Sequence, residues 1–223
     1  DPEVDRLELG RQHYRRAYVA EREGDASTAL EHYLASYEAD PSYLPTLEGL
    51  GAALVEAERF EDASRIYQTI LVQHRESLTD AEIVDLHHEV GDLSMRMGQV
   101  ERAKKSLLKA LEIDGRHVAT LGSLADLSER LDELEEAYDF RERMIEQLVD
   151  PEARFEALVR QGDLCRERIG EPYRAIDAYN EARSIRPEAL EVQQALVPLL
   201  ESTRQFSAAI QLLGSLAEAV EDP

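Results

Sequence analysis

The sequence has no tryptophan, one cysteine and no long apolar run, and these absences exclude several classes of protein. Cys165 has no second cysteine to pair with, which excludes an internal disulfide and favours a reducing compartment such as the cytoplasm. The apolar runs, such as Ala52–Val55, are far shorter than the roughly 20 residues that cross a bilayer. We therefore expect no disulfide and no membrane-spanning segment.

Basic residues are also scarce. The chain has 25 lysines and arginines against 47 aspartates and glutamates, a formal net charge of -22. Such a surface repels phosphate backbones and anionic lipids, so we expect neither a nucleic acid nor a membrane as partner. Because 43% of the residues are hydrophobic and 32% charged, the composition is that of a folded globular protein rather than a disordered one.

What the sequence does contain is an internal repeat of about 34 residues. In each copy a small residue is followed twelve positions later by alanine, and four positions after that by a bulky residue. This triplet reads Gly51, Ala63, Tyr67 in one copy and Gly91, Ala103, Leu107 in another, and Gly162, Ala175, Tyr179 repeat it with one extra residue. Turn signals at Gly24, Gly98 and Gly170 divide copies into halves. Each copy therefore predicts two helices joined by a short turn.

This pattern resembles the tetratricopeptide repeat, with its leucine–glycine, alanine, aromatic and closing proline positions. Six copies cover residues 10–43, 44–77, 84–117, 118–151, 155–189 and 190–223. The resemblance implies an all-α superhelical solenoid of helix-turn-helix repeats, and we expect residues 1–223 to form a single domain. No copy carries the family's tryptophan, and the first copy departs from the pattern at His13 and Arg16.

Helix start signals accompany the insertions before the third and fifth copies. Thr79 with Glu82 has the spacing of a capping box, and Asp150 before Pro151 suits an N-cap followed by the first helical position. These signals predict long first helices over Asp80–Met97 and Pro151–Arg168.

In the family, first helices line a concave groove, and the resemblance implies that positions 2, 5, 9, 12 and 13 of each repeat reach into it. Position 9 is aspartate in three successive copies, at Asp92, Asp126 and Asp163, which we call the aspartate row. The row would attract a partner segment rich in lysine and arginine. The alternative is that the aspartates pair along their own helices, Asp92 with Arg96 and Asp126 with Arg130.

Tyr14 and Tyr18 lie one helical turn apart in the first copy. They predict either an aromatic anchor for a ligand side chain or packing beneath the N-terminal segment. Family members that grip the acidic tails of chaperones carry lysine and asparagine at positions 5 and 9. Position 5 here reads Tyr14, Glu48, His88, Gly122, Val159 and Gln194. We therefore do not expect a chaperone-tail clamp.

Three residues would be possible metal ligands if the helices brought them together: His88, Asp92 and Asp126. Histidine and carboxylate at this spacing arise often by chance, and the sequence contains neither an HExxH motif nor a set of zinc-binding cysteines. Cys165 falls at an inward packing position. We expect no metal, no cofactor and no catalytic residue.

An apolar stripe marks the final helix, at Ile210, Leu213, Leu216 and Val220. The ends of a solenoid need a polar cap, so the stripe predicts that something covers it. We expect either that the chain is part of a longer protein or that two copies pair through this helix as a homodimer.

The function that the sequence favours is a protein–protein interaction scaffold, which binds protein or peptide segments in its groove. One alternative is a self-assembly module that forms homo-oligomers through the end stripe. Another is a metal-binding protein or enzyme centred on His88, Asp92 and Asp126.

Overall fold

The structure, a computed structural model, describes the backbone of residues 2–221 and the side chains of residues 3–217. Over this part of the chain the regular elements are helical and no strand is present, which confirms the predicted all-α class. The chain divides into two compact units, Asp1–Thr120 (unit 1) and Leu121–Pro223 (unit 2). The boundary falls inside the seventh helix.

Unit 1 consists of helix pairs stacked in chain order. Its helices are α1 (Pro2–Arg22), α2 (Ala26–Ala39), α3 (Leu44–Glu56), α4 (Phe60–Gln73), α5 (Asp80–Arg96), α6 (Val100–Ile113) and the first residues of α7 (Val118–Arg130). The two helices of each copy contact one another, and α2 also contacts α3, as α4 contacts α5. A 3₁₀ turn, Arg75–Ser77, follows α4.

Unit 2 continues the same succession. After α7 come α8 (Leu134–Gln147), α9 (Pro151–Leu164), α10 (Pro172–Ile185), α11 (Leu190–Ser202) and α12 (Phe206–Glu221). From α8 to α12 each helix contacts the next one along the chain. Each predicted copy thus supplies one first helix and one second helix.

Apolar faces of the helices form a core in each unit. In unit 1 the interior contains Tyr33, Leu47, Leu50, Leu54 and Ile70, none more than 2% exposed. Burying each of these side chains contributes roughly 1.5–3 kcal/mol. The core of unit 2 contains Phe155, Leu158, Tyr179, Leu196 and Leu212.

Both predicted helix starts are confirmed. Thr79 Oγ1 accepts a hydrogen bond from the Glu82 N–H, and the Thr79 N–H donates to the Glu82 carboxylate at 2.7 Å. This capping box begins α5, which has 17 residues where α3 has 13, and which ends one residue before the predicted Met97. Asp150 Oδ2 accepts from the Ala153 N–H at 2.9 Å, directly before Pro151.

A π-helical turn, Cys165–Ile169, accommodates the extra residue of the fifth copy. It continues α9 to within one residue of the predicted end at Arg168. A π turn closes over one more residue than an α turn, so the insertion is absorbed without ending the helix. The N–H groups of Gly170 and Glu171 then both donate to the Cys165 carbonyl, at 2.9 and 3.0 Å.

Every within-repeat turn has one residue in the left-handed region. In three copies it is glycine, as the turn signals predicted: Gly24, Gly98 and Gly170, with φ of 78°, 71° and 79°. In the other three it is Glu58, Asp132 and Arg204, with φ of 56°, 63° and 60°. A side chain in this region costs energy that glycine avoids.

The small and bulky residues of the repeat pack directly on one another. A Cβ added to Gly162 would lie 2.5 Å from Tyr179 Cε1, and one added to Gly91 would lie 2.6 Å from Leu107 Cγ. The fourth copy departs from this packing, because its bulky position holds a charged residue, Arg141, which is only 3% exposed.

The helix α12 has one buried and one exposed apolar face. Ala209 and Leu212 lie in the core of unit 2, whereas Ile210 is 70% exposed and Leu213 is 45% exposed. Of the predicted stripe, Leu216 is half-buried and Val220 lies outside the residues whose side chains are described.

Candidate functional site

Four tyrosines meet on the α1 side of unit 1. The rings of Tyr14 and Tyr18 stack with their centroids 6.4 Å apart, and Tyr14 contacts Tyr43 edge-on at 5.5 Å and Tyr33 at 6.2 Å. Tyr14 is half-buried and Tyr18 is 46% exposed. We call Tyr14, Tyr18, Tyr33 and Tyr43 the tyrosine cluster. One member therefore packs inward while its neighbour presents its ring to solvent.

Arginines cover the edges of this cluster. The Arg22 guanidinium lies 5.9 Å from the centroid of the Tyr18 ring and donates a hydrogen bond of 3.2 Å to the Tyr18 hydroxyl. Arg11 lies 5.9 Å from the Tyr43 ring. Burial raises the pKa of Tyr14, so its hydroxyl remains neutral at physiological pH. The surface thus combines aromatic faces with hydrogen-bonding groups, as protein-binding surfaces commonly do.

The sequence indicated Tyr14 and Tyr18 but missed Tyr33 and Tyr43. Tyr33 occupies the bulky packing position of the first copy, where its hydroxyl donates a 2.6 Å hydrogen bond to Glu21. Tyr43 is the residue before α3. Spacing along a single helix relates Tyr14 to Tyr18, whereas the other contacts depend on helix packing.

His88 and Asp92 lie on α5, but each has other neighbours. The Asp92 carboxylate forms an ion pair of 2.9 Å with Arg96, one of the two pairings expected along a helix. The half-buried His88 ring packs edge-on against His117 at 5.7 Å. Burial, as the largest cause, lowers the pKa of His88.

The two aspartates of the row in unit 2 also have cationic neighbours. Asp126 lies 3.5 Å from the buried Arg141 of α8, rather than pairing with Arg130 as the helical spacing suggested. Asp163 lies 3.0 Å from Arg166 and accepts a 2.7 Å hydrogen bond from the Tyr179 hydroxyl. These contacts hold both carboxylates against their own unit.

Metal chemistry gains no support from the described residues, since no group of three or more histidine, cysteine or acidic side chains there is placed to hold an ion. Cys165 is fully buried, which confirms its predicted place in the core. Burial raises the pKa of its thiol to about 11, so the reactive thiolate is disfavoured at neutral pH.

A family model for the tetratricopeptide repeat matches residues 84–117, the third copy with its helices α5 and α6. Residues 84–117 are therefore similar to a tetratricopeptide repeat. No curated protein matches the chain in sequence. The other copies share the fold of tetratricopeptide repeats.

Solved structures share that fold. The tetratricopeptide protein YrrB, described as having an unusual peptide-binding site, is 20% identical with a TM-score of 0.61, over 82% of this chain and 89% of its own. A tetratricopeptide protein from Parabacteroides merdae is 16% identical with a TM-score of 0.64, over 95% and 80%. MamA is 16% identical with a TM-score of 0.59, over 89% and 96%.

Tetratricopeptide repeat proteins are in general scaffolds without catalytic activity that bind proteins or peptides, and this fold supports that class of function here. Among the described residues, no helix is both long and apolar enough to cross a membrane.

Proposed function

We propose that this protein is a scaffold that binds a segment of another protein against the first helices of its repeats, with the tyrosine cluster as the main contact in unit 1. The observation that carries the proposal is the half-exposed Tyr18 ring, which is stacked on Tyr14. Tyr14 is in turn held by Tyr33 and Tyr43. A ring already fixed by its neighbours loses little conformational entropy when a ligand binds.

The chemistry of the cluster indicates what such a segment would offer. An apolar or aromatic side chain would pack on the Tyr18 ring, because aromatic pairs are stabilised beyond the area that they bury. Arg22 and Arg11 at the edges would donate hydrogen bonds to backbone carbonyls or carboxylates of the segment. The partner class is therefore a peptide with at least one large apolar anchor.

The test compares two exposed tyrosines. Peptides selected from a displayed random library on the wild-type protein would be measured by fluorescence anisotropy against Tyr18→Ala and Tyr173→Ala. Tyr173 lies on the second helix α10 and is 60% exposed, so it is a matched control. Loss of a central aromatic anchor should weaken binding about tenfold or more, whereas the control should stay within about twofold.

Failure to select any peptide would count against the scaffold itself. Selected peptides that bind Tyr18→Ala as tightly as wild type would leave the scaffold standing but remove the tyrosine cluster as its contact.

We propose a secondary role for the aspartate row, which is to attract segments that carry lysine or arginine, with His88 as a further groove contact beside Asp92. Replacing Asp92, Asp126 and Asp163 with asparagine should weaken the binding of such peptides at low salt and have little effect at high salt. A control triple variant changes Asp62, Asp139 and Asp177, on second helices, by the same net charge. Equal effects of the two triple variants would show that the aspartate row acts only through the net charge of the protein and not through its position.

A second candidate function, homo-oligomer formation, is favoured by the exposed apolar face of α12. Phe206 is 55% exposed and Ile210 is 70% exposed, and adjacent apolar side chains of this size commonly mark contact surfaces. Ile210→Lys should abolish any concentration-dependent dimer in sedimentation velocity, whereas Val149→Lys, at a side chain 94% exposed, should not. A wild-type protein that is monomeric at every concentration would rule this function out.

We further propose that residues 1–223 unfold as one domain, since α7 belongs to both units. Urea unfolding followed by amide exchange in α4 and in α10 should give one midpoint. Two separated midpoints would instead make the units independent domains.

A further inference from the structure

All three lysines of the chain lie on one helix, α6, at Lys104, Lys105 and Lys109. Elsewhere the basic residues are arginines, set among 47 acidic side chains. The last turns of α4 and the helices α5 and α6 line an open cavity of about 460 Å³ beside this helix, and Lys105 and Lys109 contribute to its lining. We call this cavity the basic pocket. Its size lies in the range of roughly 300–1,000 Å³ that is usual for binding pockets.

Basic side chains reach the basic pocket from α6 and from the turn after α4, and α5 contributes a histidine. Arg75 extends from the turn after α4 and His87 from α5, facing Lys105 and Lys109 of α6. Arg75, Lys105 and Lys109 are exposed, so their charged ends are accessible. The pKa of His87 is lowered, first by burial and then by Lys109 and Arg75, although Glu112 acts in the opposite direction.

Arg102 of the same helix has a different role. Its guanidinium donates to Ser64 Oγ at 2.8 Å and to the Gln99 side chain at 2.8 Å, and lies 3.3 Å from Glu61. These bonds fix one wall of the basic pocket and partly neutralise this arginine. The accessible positive charge is therefore concentrated at Arg75, Lys105 and Lys109.

The basic pocket also has an apolar side. Leu71 and Val90, which line it, are 8% and 2% exposed, and Val72, which also lines it, is 80% exposed. A valine left this exposed adds nothing to the core, but it could contact the side chain of a ligand. The pocket thus combines an apolar surface with a cationic rim.

We propose that the basic pocket binds an acidic segment of a partner protein, with one apolar side chain of the segment packed against Val72 and its flanking carboxylates paired with Lys105, Lys109 and Arg75. Charge complementarity favours this occupant. At this site a short acidic segment is favoured over a whole second copy, because a net charge of -22 on each molecule opposes their association more strongly than it opposes a peptide with a few charges. The pocket is formed mainly by second helices, so it is independent of the tyrosine cluster.

The test uses a fluorescent peptide in which glutamates surround one leucine, and its affinity for the full chain is measured by anisotropy. Wild type should bind the probe, and replacing the glutamates with glutamine should abolish binding. Lys105→Gln with Lys109→Gln should weaken it about fivefold to tenfold, since each exposed charge pair contributes modestly. Val72→Ser should weaken it about threefold.

The matched control is Arg15→Gln with Arg16→Gln, which removes the same charge from exposed positions on α1 and should leave affinity within about twofold. A local readout is the imidazole signal of His87 in NMR, because bound carboxylates near it would raise its pKa. The proposal is overturned if the probe does not bind, if both double variants bind equally, or if an oligonucleotide or inorganic phosphate competes as well as the peptide. Sedimentation showing self-association through these lysines would overturn it too. None of these outcomes depends on Tyr18, so the scaffold proposal is tested separately.

Discussion

Unit 1 and unit 2 are built from the same repeat but differ in their polar chemistry. Unit 1 holds all six histidines and all three lysines, whereas the basic residues of unit 2 are arginines and its core contains the one cysteine. The small and bulky packing positions are alike in most copies of both. The fold therefore restricts the residues at the packing positions and leaves the polar residues of the remaining surface free to differ.

At the bulky position the two units differ in one copy. Unit 1 has Tyr33, Tyr67 and Leu107 there, and unit 2 has Tyr179 in the fifth copy but the charged Arg141 in the fourth. The Arg141 guanidinium donates to Glu129 at 2.8 Å, and its second terminal nitrogen, Nη1, is buried with no hydrogen-bond partner in the described structure. Burial of the Arg141 side chain therefore stabilises its position as much as its ion pair with Glu129 does.

Replacing Arg141 should produce the largest change in stability. Arg141→Ala should lower the free energy of unfolding by about 2–4 kcal/mol, because it leaves a cavity and unpairs Glu129. Arg141→Met, which keeps the volume, should stay within about 1 kcal/mol of wild type, since a buried ion pair is often no better than apolar packing. Urea unfolding measures both, and an equal loss in the two variants would mean that the charge, not the volume, stabilises unit 2.

Adding a methyl group at the packing glycines should have the next largest effect on stability, and the effect should differ between the two units. Tyr179 is 1% exposed and its hydroxyl is bonded to Asp163, so it cannot move aside in Gly162→Ala. We expect a loss of about 2–3 kcal/mol there and about 1 kcal/mol for Gly51→Ala, whose neighbour Tyr67 is only half-buried.

The control for these variants is Gly214→Ala, because a Cβ at this helical position would meet nothing within 4 Å. It should stabilise α12 by up to about 1 kcal/mol through helix propensity. Thermal unfolding measures the stability of all three variants. Equal losses in Gly51→Ala and Gly162→Ala would show that the fixed position of Tyr179 adds nothing to the cost.

Acidification should destabilise the protein through the histidines, all of which lie in unit 1. The pKa values of His13, His87 and His88 are lowered mainly by burial, so the unfolded chain binds protons more readily than the folded one. Stability should therefore be complete above the unfolded value of about 6.5 and fall as the pH drops through it. The midpoint of urea unfolding should fall as the pH drops, and His88→Gln should flatten this dependence. A dependence that is unchanged in His88→Gln would exclude this histidine as the cause.

Relieving the left-handed turn residues should have the smallest effect. Glu58→Gly in unit 1 should stabilise by about 0.5 kcal/mol, since glycine avoids the steric cost but adds entropy to the unfolded chain. Asp132→Gly in unit 2 should be near neutral, because aspartate tolerates this region and the change removes an ion pair of 2.7 Å with Arg168. A clear gain at Asp132 in thermal unfolding would show that the ion pair contributes nothing.

Much of the fold could be read from local sequence signals. The capping box at Thr79 and the N-cap at Asp150 acted within one turn of helix, and both helices began where predicted. The turn position was harder to recognise in the copies where Glu58 and Asp132 replace glycine, because these residues adopt the left-handed region without the residue type that usually marks it.

Less of the candidate sites could be predicted. Tyr14 and Tyr18 are related by helical spacing, but Tyr43 reaches them only through the stacking of α3 on the first pair. The basic pocket escaped prediction because Arg75, His87 and Lys109 come from three separate segments. Pairing of Asp126 within its own helix was one of two alternatives, and the aspartate lies instead beside Arg141 of the next helix.

The sequence by itself determined the repeat, its helix pairs and the packing of small on bulky residues, because hydrophobic periodicity and caps act over a few neighbouring positions. The tertiary structure decided which polar side chains meet: the aromatic contacts of Tyr14, the neighbours of the aspartate row and the cations around Val72. It also placed the extra residue of the fifth copy in a π turn at Cys165. Contacts between helices depend on how the helices pack, and the spacing of residues along one helix does not determine this.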